Sequence, residues 1–318
     1  MTSSALPANA SLINIGTHSL ALYTHGPEPS SASDPVVLFI PGVGCSSLNW
    51  AAVVRLLPAS LRSYTYDRSG YGNSELSPLE PTAENIALEL SRLIDRAFIL
   101  NPIIIVGHSW AGVLIHEFIA LTGNGPHIGG LVLVDANHET APLVLDIKDP
   151  ILWTVAAGVE PYSAKGIAAE HKLTQAEWDA LMSDESTEKS KLIQHKEVDE
   201  QYTPSFETLR RKELGKRQPL VADKPVYIIG GMRSRDWSGL YKAGVARGNG
   251  TEEQRSYVRE LIRTVDEKNA GLMKEFLKIS TTTKLVFAHE SGHFVQLTQP
   301  DIVVDGVKWA LENLPASY

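Results

Sequence analysis

Continuous apolar runs punctuate the chain. Residues 36–40, 103–106, 131–134 and 226–229 are unbroken and rich in β-branched side chains. Such runs predict strands buried on both faces, as in a parallel sheet. Residues 12–15, 20–23, 63–66 and 285–288 predict further strands with looser edges. Helical patterns lie between them. Behind Thr82 as N-cap, Ile86, Leu90, Leu93, Ile94 and Ala97 fall on one helix face. Strands alternating with helices predict a doubly wound α/β domain.

Two stretches break the alternation. Residues 136–224 carry no strand pattern, and a capping box, Thr174 with Glu177, precedes Trp178, Leu181 and Met182. Residues 238–280 form a second helical insert behind another capping box, Thr251 with Gln254. Long structureless loops are rare in compact domains, so both predict helices laid over one face of the sheet.

Composition narrows the setting. The 318 residues are 43% hydrophobic and 21% charged, with a formal charge of −8, which speaks against a nucleic-acid partner. One cysteine, Cys45, excludes an internal disulfide and suits a reducing compartment. The opening Met-Thr-Ser-Ser-Ala-Leu-Pro-Ala lacks the basic and apolar regions of a leader. No apolar run approaches the roughly 18 residues of a membrane span. A cytoplasmic protein with a small-molecule substrate is expected. Asn249-Gly250-Thr251 matches a glycosylation sequon but predicts a turn in that setting.

The strand at 103–106 runs into Gly107-His108-Ser109-Trp110-Ala111-Gly112 and then an apolar helix pattern. That strand–turn–helix context is what a nucleophile elbow requires, with small residues two before and two after the serine. The turn places Ser109 at a helix N-terminus, where backbone amides favour developing negative charge. Pro41-Gly42-Val43-Gly44 follows another buried strand. Its glycines let a backbone N–H turn toward the neighbouring strand end, so the amides of Val43 and Trp110 are the candidate oxyanion donors. The loop lacks the Gly-Lys-Ser/Thr of a phosphate cradle. Asp67 and the glycines of Tyr66–Ser74 are expected to shape a loop.

Near the C-terminus, Glu290-Ser291-Gly292-His293-Phe294 puts a histidine on a glycine turn after a strand, where its imidazole can swing over the sheet edge. His108 is expected to point away from Ser109, and His289 sits at the strand end. His116-Glu117 lacks the second histidine of a zinc helix, so no metal or cofactor is implied.

Together the elbow, Pro41–Gly44, Asp67–Gly72 and Ser291–Phe294 resemble the α/β-hydrolase superfamily, in its serine-nucleophile branch with a helical cap, along nearly the whole chain. The family usually has His-Gly where this chain has Pro41-Gly42. The resemblance implies a doubly wound, mostly parallel sheet built from residues 1–135 and 225–318, with residues 136–224 as the cap. It implies Ser109 as nucleophile, His293 as base and an aspartate between them in the chain. Asp135, at the end of the sixth strand, is assigned as the acid. Asp236, five residues past Gly231 and beside Arg235, is the alternative.

The expected reaction is cleavage of an ester, thioester or lactone of a small apolar substrate through an acyl-serine. Because fold does not fix reaction, a lyase, C–C hydrolase or cyclase using the same triad, and a non-catalytic ligand-binding protein, stay open. Trp153 and Trp178 are the candidate pocket residues, alongside Leu181 and Met182.

Overall fold

The computed structural model describes residues 6–125 and 127–315. Most of the N-terminal stretch considered for a leader lies outside them. Eight described strands form one sheet: β1 Ala10–Asn14, β2 Ser19–His25, β3 Val36–Ile40, β4 Ser63–Tyr66, β5 Ile103–His108, β6 Ile128–Val134, β7 Val226–Gly231 and β8 Thr283–Ala288. Their order is β1-β2-β4-β3-β5-β6-β7-β8. β1 and β2 pair antiparallel, and so do β2 and β4; every other neighbouring pair is parallel. The parallel strands β3, β5, β6 and β7 are buried at every position, as their continuous apolar runs require.

Helices cover both faces. In the first half they are α1 Ala51–Leu56, α2 Ala83–Arg96 and α3 Ala111–Thr122. Between β6 and β7 the described residues form helices and connecting turns but no strand: α4 Ala141–Val144, α5 Pro150–Val155, α6 Pro161–Ala164, α7 Ile167–Glu170, α8 Gln175–Glu185, α9 Glu188–His195 and α10 Tyr202–Arg211. A wide π-type segment, Lys196–Gln201, joins the last two. α11 Arg233–Ala246 and α12 Glu252–Glu275 separate β7 from β8, and α13 Val295–Thr298 and α14 Pro300–Glu312 end the fold.

The local signals act as the sequence predicts. Thr82 accepts the Asn85 amide ahead of α2, and both capping boxes form, at α8 and α12. The Asn249 side chain donates to the Val155 and Ala157 carbonyls, so the sequon is a turn with its amide occupied.

One boundary differs. α11 begins at Arg233, five residues before the expected insert. Its first turn has no local side-chain cap; instead the Ser234 amide and hydroxyl are met by Asp266 of α12. This cap comes from tertiary structure, and it carries Asp236 from a loop into a buried helical turn.

Candidate active site

The elbow is built by crowding. A Cβ on Gly107 would stand 2.9 Å from the Ala111 Cβ and 2.6 Å from Ile115, so the turn closes only with glycine there and a small residue at 111. The methyl of Ala111 is the small side chain this turn admits after the serine. Ser109 is held at φ +55°, a backbone region that costs a non-glycine residue energy and clusters at functional sites. Ladder bonds hold it: the Ser109 amide donates to the Val134 carbonyl, and its own carbonyl accepts the amides of Gly112 and Asn137.

Asp135 follows β6 with φ +41°, its amide donating to Ile229. Its side chain is fully buried. Oδ1 accepts the Gly231 amide at 3.0 Å and Asn269 Nδ2 at 2.7 Å. Oδ2 lies 2.6 Å from His293 Nδ1 and 3.1 Å from Arg233 Nε. The arginine contact is an ion pair whose alignment falls short of a hydrogen bond. Burial alone would raise the carboxyl, but Arg233, with the hydrogen bonds from His293 and Asn269, holds it well below the usual carboxylate range. It is ionised.

His293 Nε2 lies 2.9 Å from Ser109 Oγ. Burial first, and Arg233 second, lower its pKa to about 4 against the pull of Asp135, so the imidazole is neutral near pH 7. With Nδ1–H donated to Asp135, Nε2 is free to accept the hydroxyl proton of Ser109.

The loop carrying His293 is set from below. Asp236 Oδ2 accepts the His293 backbone amide at 2.8 Å, and a Cβ on Gly292 would collide with that carboxylate. Burial raises the Asp236 carboxyl, offset in part by Lys165. Arg235, which the sequence offered as its partner, pairs with Glu170 instead. His108, expected to point away from Ser109, makes no hydrogen bond to it and packs 4.5 Å from the His293 ring. It donates from Nε2 to the His293 carbonyl and accepts Gln296 at Nδ1. Burial keeps it neutral.

The strand exit after β3 is clamped. Arg68 donates to the carbonyls of Pro41 and Gly42, and Glu197 accepts the Gly44 amide. Among the described residues the amides of Val43 and Trp110 have no protein acceptor. The Trp110 indole N–H donates to Ser205 of α10, tying the elbow to the overlying helices.

Two cavities border the site. One, about 270 Å³, is lined by Val43, Cys45, Tyr162, Lys165, Ile167 and Phe294, among others. The other, about 230 Å³, reaches Ala136 and Asn137, the residues after Asp135. Neither is lined by Trp153 or Trp178. Trp153 is 43% exposed on α5, its indole donating to the Ile147 carbonyl. Trp178 stacks on His171 and meets the edge of Tyr162 at 5.5 Å, one layer behind the first cavity. Leu181 and Met182 pack in that same apolar cluster. The sequence missed Arg233, Asn269 and Asp236's hold on the His293 backbone, since helix-borne polar residues carry no mark of the strand end they will face. Among the described residues no cluster of acidic, histidine or cysteine side chains has metal-binding geometry, and no helix is long and apolar enough to cross a membrane.

Known proteins are similar to this chain in sequence and fold. A family model described as "Alpha/beta hydrolase family" matches residues 37–306. The chain is 28% identical over 296 residues to an AB hydrolase superfamily protein of Gibberella zeae, covering 91% of this chain and 90% of that one. It is 33% identical over 310 residues to a probable transporter, efuK, of Hormonema carpetanum; the match covers 96% of this chain but 43% of that protein, under half its length. Among solved structures, Cfl2 from Burkholderia cenocepacia superposes with a TM-score of 0.63 at 15% identity, over 94% of each chain. An enol-lactonase from Burkholderia xenovorans gives 0.58 at 16% identity, over 95% of this chain and 99% of that one. A thermophilic esterase from Thermogutta terrifontis gives 0.58 at 15%, over 96% and 98%. At these identities the structures speak for the fold.

Proposed function

The chain belongs to the α/β-hydrolase family, and on that premise we propose that it cleaves an ester, thioester or lactone of a small molecule through an acyl-Ser109 intermediate. One observation carries the reading: a neutral His293 bridges Ser109 Oγ, at 2.9 Å, and an ionised, buried Asp135, at 2.6 Å.

In this reading His293 Nε2 takes the Ser109 proton as Oγ bonds to the substrate carbonyl carbon. The carbonyl π electrons move onto oxygen, which the Val43 and Trp110 amides receive. The tetrahedral species collapses, the bond to the leaving oxygen or sulfur breaks, and His293 delivers its proton there. A water then gives a proton to His293 and attacks the acyl carbon; as the second tetrahedral species collapses, the bond from the acyl carbon to Oγ breaks and His293 returns the proton to Oγ, releasing the acid and restoring Ser109. Asp135 orients the imidazole and stabilises its transient positive charge. Asp236 serves as a backbone anchor for the His293 turn rather than as the acid.

Residues 136–224 act as the cap. The cavity along Val43, Cys45, Tyr162 and Phe294 receives the acyl or leaving group. Trp178 supports its wall from behind, and Trp153 stands outside it. The esterase and lactonase named among the structural relatives agree with this reaction class.

A fluorophosphonate probe tests the proposal. Covalent labelling at Ser109, lost in Ser109→Ala and in His293→Ala, is expected. A folded protein that resists the probe at neutral pH is a binding protein on the same fold, and the proposal fails.

A further inference from the structure

The wall of the second cavity carries a cation whose contact with Asp135 leaves most of its donors unspent. Its buried floor includes Ala136, Asn137, Tyr202, Arg233, Asn269 and Leu272. Arg233 is 5% exposed. Its Nε is sealed against Asp135. Its two Nη groups make no hydrogen bond to protein among the described residues, and the residue lines the cavity. An arginine serving only as counter-charge to Asp135 would be expected to present an aligned, two-pronged contact. Here the fork is turned partly away, with its donors unspent in a low-dielectric wall.

We propose that this cavity is an anion subsite, in which the Arg233 guanidinium receives a carboxylate carried on one arm of the substrate. The inference rests on the hydrolase reading and deepens it: the substrate becomes a carboxylate-bearing ester, thioester or lactone. A planar fork meets a carboxylate through two parallel hydrogen bonds, and a carboxylate is the smallest anion so matched, which suits the size of this cavity. Leu145 and Leu272 give the cavity apolar wall for a methylene arm. At about 230 Å³ it falls below the usual range for ligand pockets, so that arm is short. One wall of the subsite is tied to the nucleophile's turn, since the Asn137 amide donates to the Ser109 main-chain carbonyl, and Arg233 reaches the Asp135 carboxylate that holds His293. Asp146 and Lys148 also line the cavity; the exposed Asp146 accepts the Lys148 amide, and the half-buried Lys148 donates to the Val198 carbonyl.

The test compares matched esters. 4-Nitrophenyl butyrate and mono-4-nitrophenyl glutarate differ by a terminal carboxylate. The wild-type protein is expected to favour the glutarate ester. Arg233→Met should cut kcat/KM for that ester about 10- to 100-fold more than for butyrate, the loss of one charge-assisted pair, and Arg233→Lys should restore part of it. A readout independent of turnover accompanies it: calorimetric titration of Ser109→Ala with succinate, glutarate and adipate. At least one should bind, and Ser109→Ala/Arg233→Met should lose it. If both esters fall by the same factor in Arg233→Met, the residue merely supports Asp135 and the subsite is refuted. Failure of all three diacids to bind, or binding indifferent to Arg233, refutes it too. Diacid binding through Arg233 in a protein that cleaves neither ester leaves the subsite standing and overturns the hydrolase reading instead.

Discussion

Arg68 and Glu197, 129 positions apart, form a buried ion pair that fastens the helices above the sheet to the strand exit bearing Val43. Arg68 Nε and Nη2 meet the two carboxylate oxygens at 2.9 and 2.7 Å. Tyr71 adds a third hydrogen bond, to Oε2, and the Gly44 amide a fourth. Both side chains are 1% exposed. Glu197 sits on the π-type segment, a distortion often found at functional sites.

Because the pair is buried, removing one partner leaves the other charge uncompensated. Glu197→Ala is expected to lose about 3–5 kcal/mol of stability. The Arg68→Met/Glu197→Met protein should recover much of that loss, since burying apolar groups of like volume carries no charge penalty. Chemical denaturation of the three proteins checks the order. In the double variant the Pro41 and Gly42 carbonyls lose their clamp, so kcat should fall while KM for a neutral ester changes little. A Glu197→Ala protein as stable as wild type would show that the pair does not hold the two layers.

Ser109 lies at φ +55°, and its hydroxyl adds nothing to that backbone strain. Ser109→Ala should therefore keep its melting temperature and lose turnover by several orders of magnitude. Ser109→Gly should be equally inactive yet more stable by about 1 kcal/mol, the relief of strain exceeding the added freedom of the unfolded chain. Thermal unfolding and single-turnover assays separate the two effects. Residual activity near wild type in the alanine protein would end the acyl-serine mechanism.

The fold was legible where burial is two-sided. Continuous β-branched runs located β3, β5, β6 and β7, and Thr82, Thr174 and Thr251 marked helix starts because each cap is local. Ser109 and His293 were legible because small residues surround them for steric reasons that any chain at such turns must meet. What escaped was tertiary. The start of α11 depends on Asp266, thirty-two positions from the amide it caps. Glu197, Arg233 and Asn269 are polar residues in helical text, and ordinary polar faces look the same until the partner is in place. The tryptophans misdirected the pocket assignment: large apolar residues flag burial, and Trp178 spends its surface on His171 and Tyr162.

pH dependence follows from His293. Its pKa is lowered to about 4, so the base is neutral above that pH and protonated below it. The acid limb of kcat/KM should have its midpoint near pH 4, with no further rise between pH 6 and 7. Arg233→Met removes the larger of the two positive charges that lower it, Lys165 being the other, and should move that limb to higher pH, for neutral and acidic esters alike. Stability moves the same way. In the unfolded chain His293 and His138 return to ordinary values, and the latter also sits at about 4 when folded. Between about pH 4 and 6.5 the unfolded state binds more protons, so stability falls as pH drops through that window. Asp135, held low when folded, withdraws its share only below it. Glu185, raised to about 7 by burial, holds its proton in the folded state over the same window and opposes this fall, so the decisive protein is Glu185→Gln: a flat stability profile for it from pH 7 to 4 would contradict the buried, neutral state of both imidazoles.

Asp135 and Asp236 both touch His293, one at the ring and the other at the backbone, which makes them separable. Asp135 Oδ2 meets Nδ1 at 2.6 Å; Asp236 Oδ2 meets the main-chain amide at 2.8 Å. In Asp135→Asn the carboxamide can donate to Nδ1, stabilising the tautomer with its proton on Nε2, where it cannot accept from Ser109. Turnover should fall by about four orders of magnitude, as for a triad acid. The variant also strands Arg233 without its counter-charge, so stability must be followed in parallel. Asp236→Asn keeps an acceptor oxygen for the amide and removes a buried carboxylate whose burial opposes its charge. Its turnover should drop by less than about tenfold, with stability nearly unchanged. Asp236→Ala, which takes the acceptor away, should loosen the Gly292–His293 turn and lower kcat without moving the acid limb, because the ring keeps its partner. Chemical denaturation, kcat and the pH profile of the three variants distinguish the roles. An inactive Asp236→Asn beside an active Asp135→Asn would make Asp236 the acid, despite the contact each carboxylate makes here.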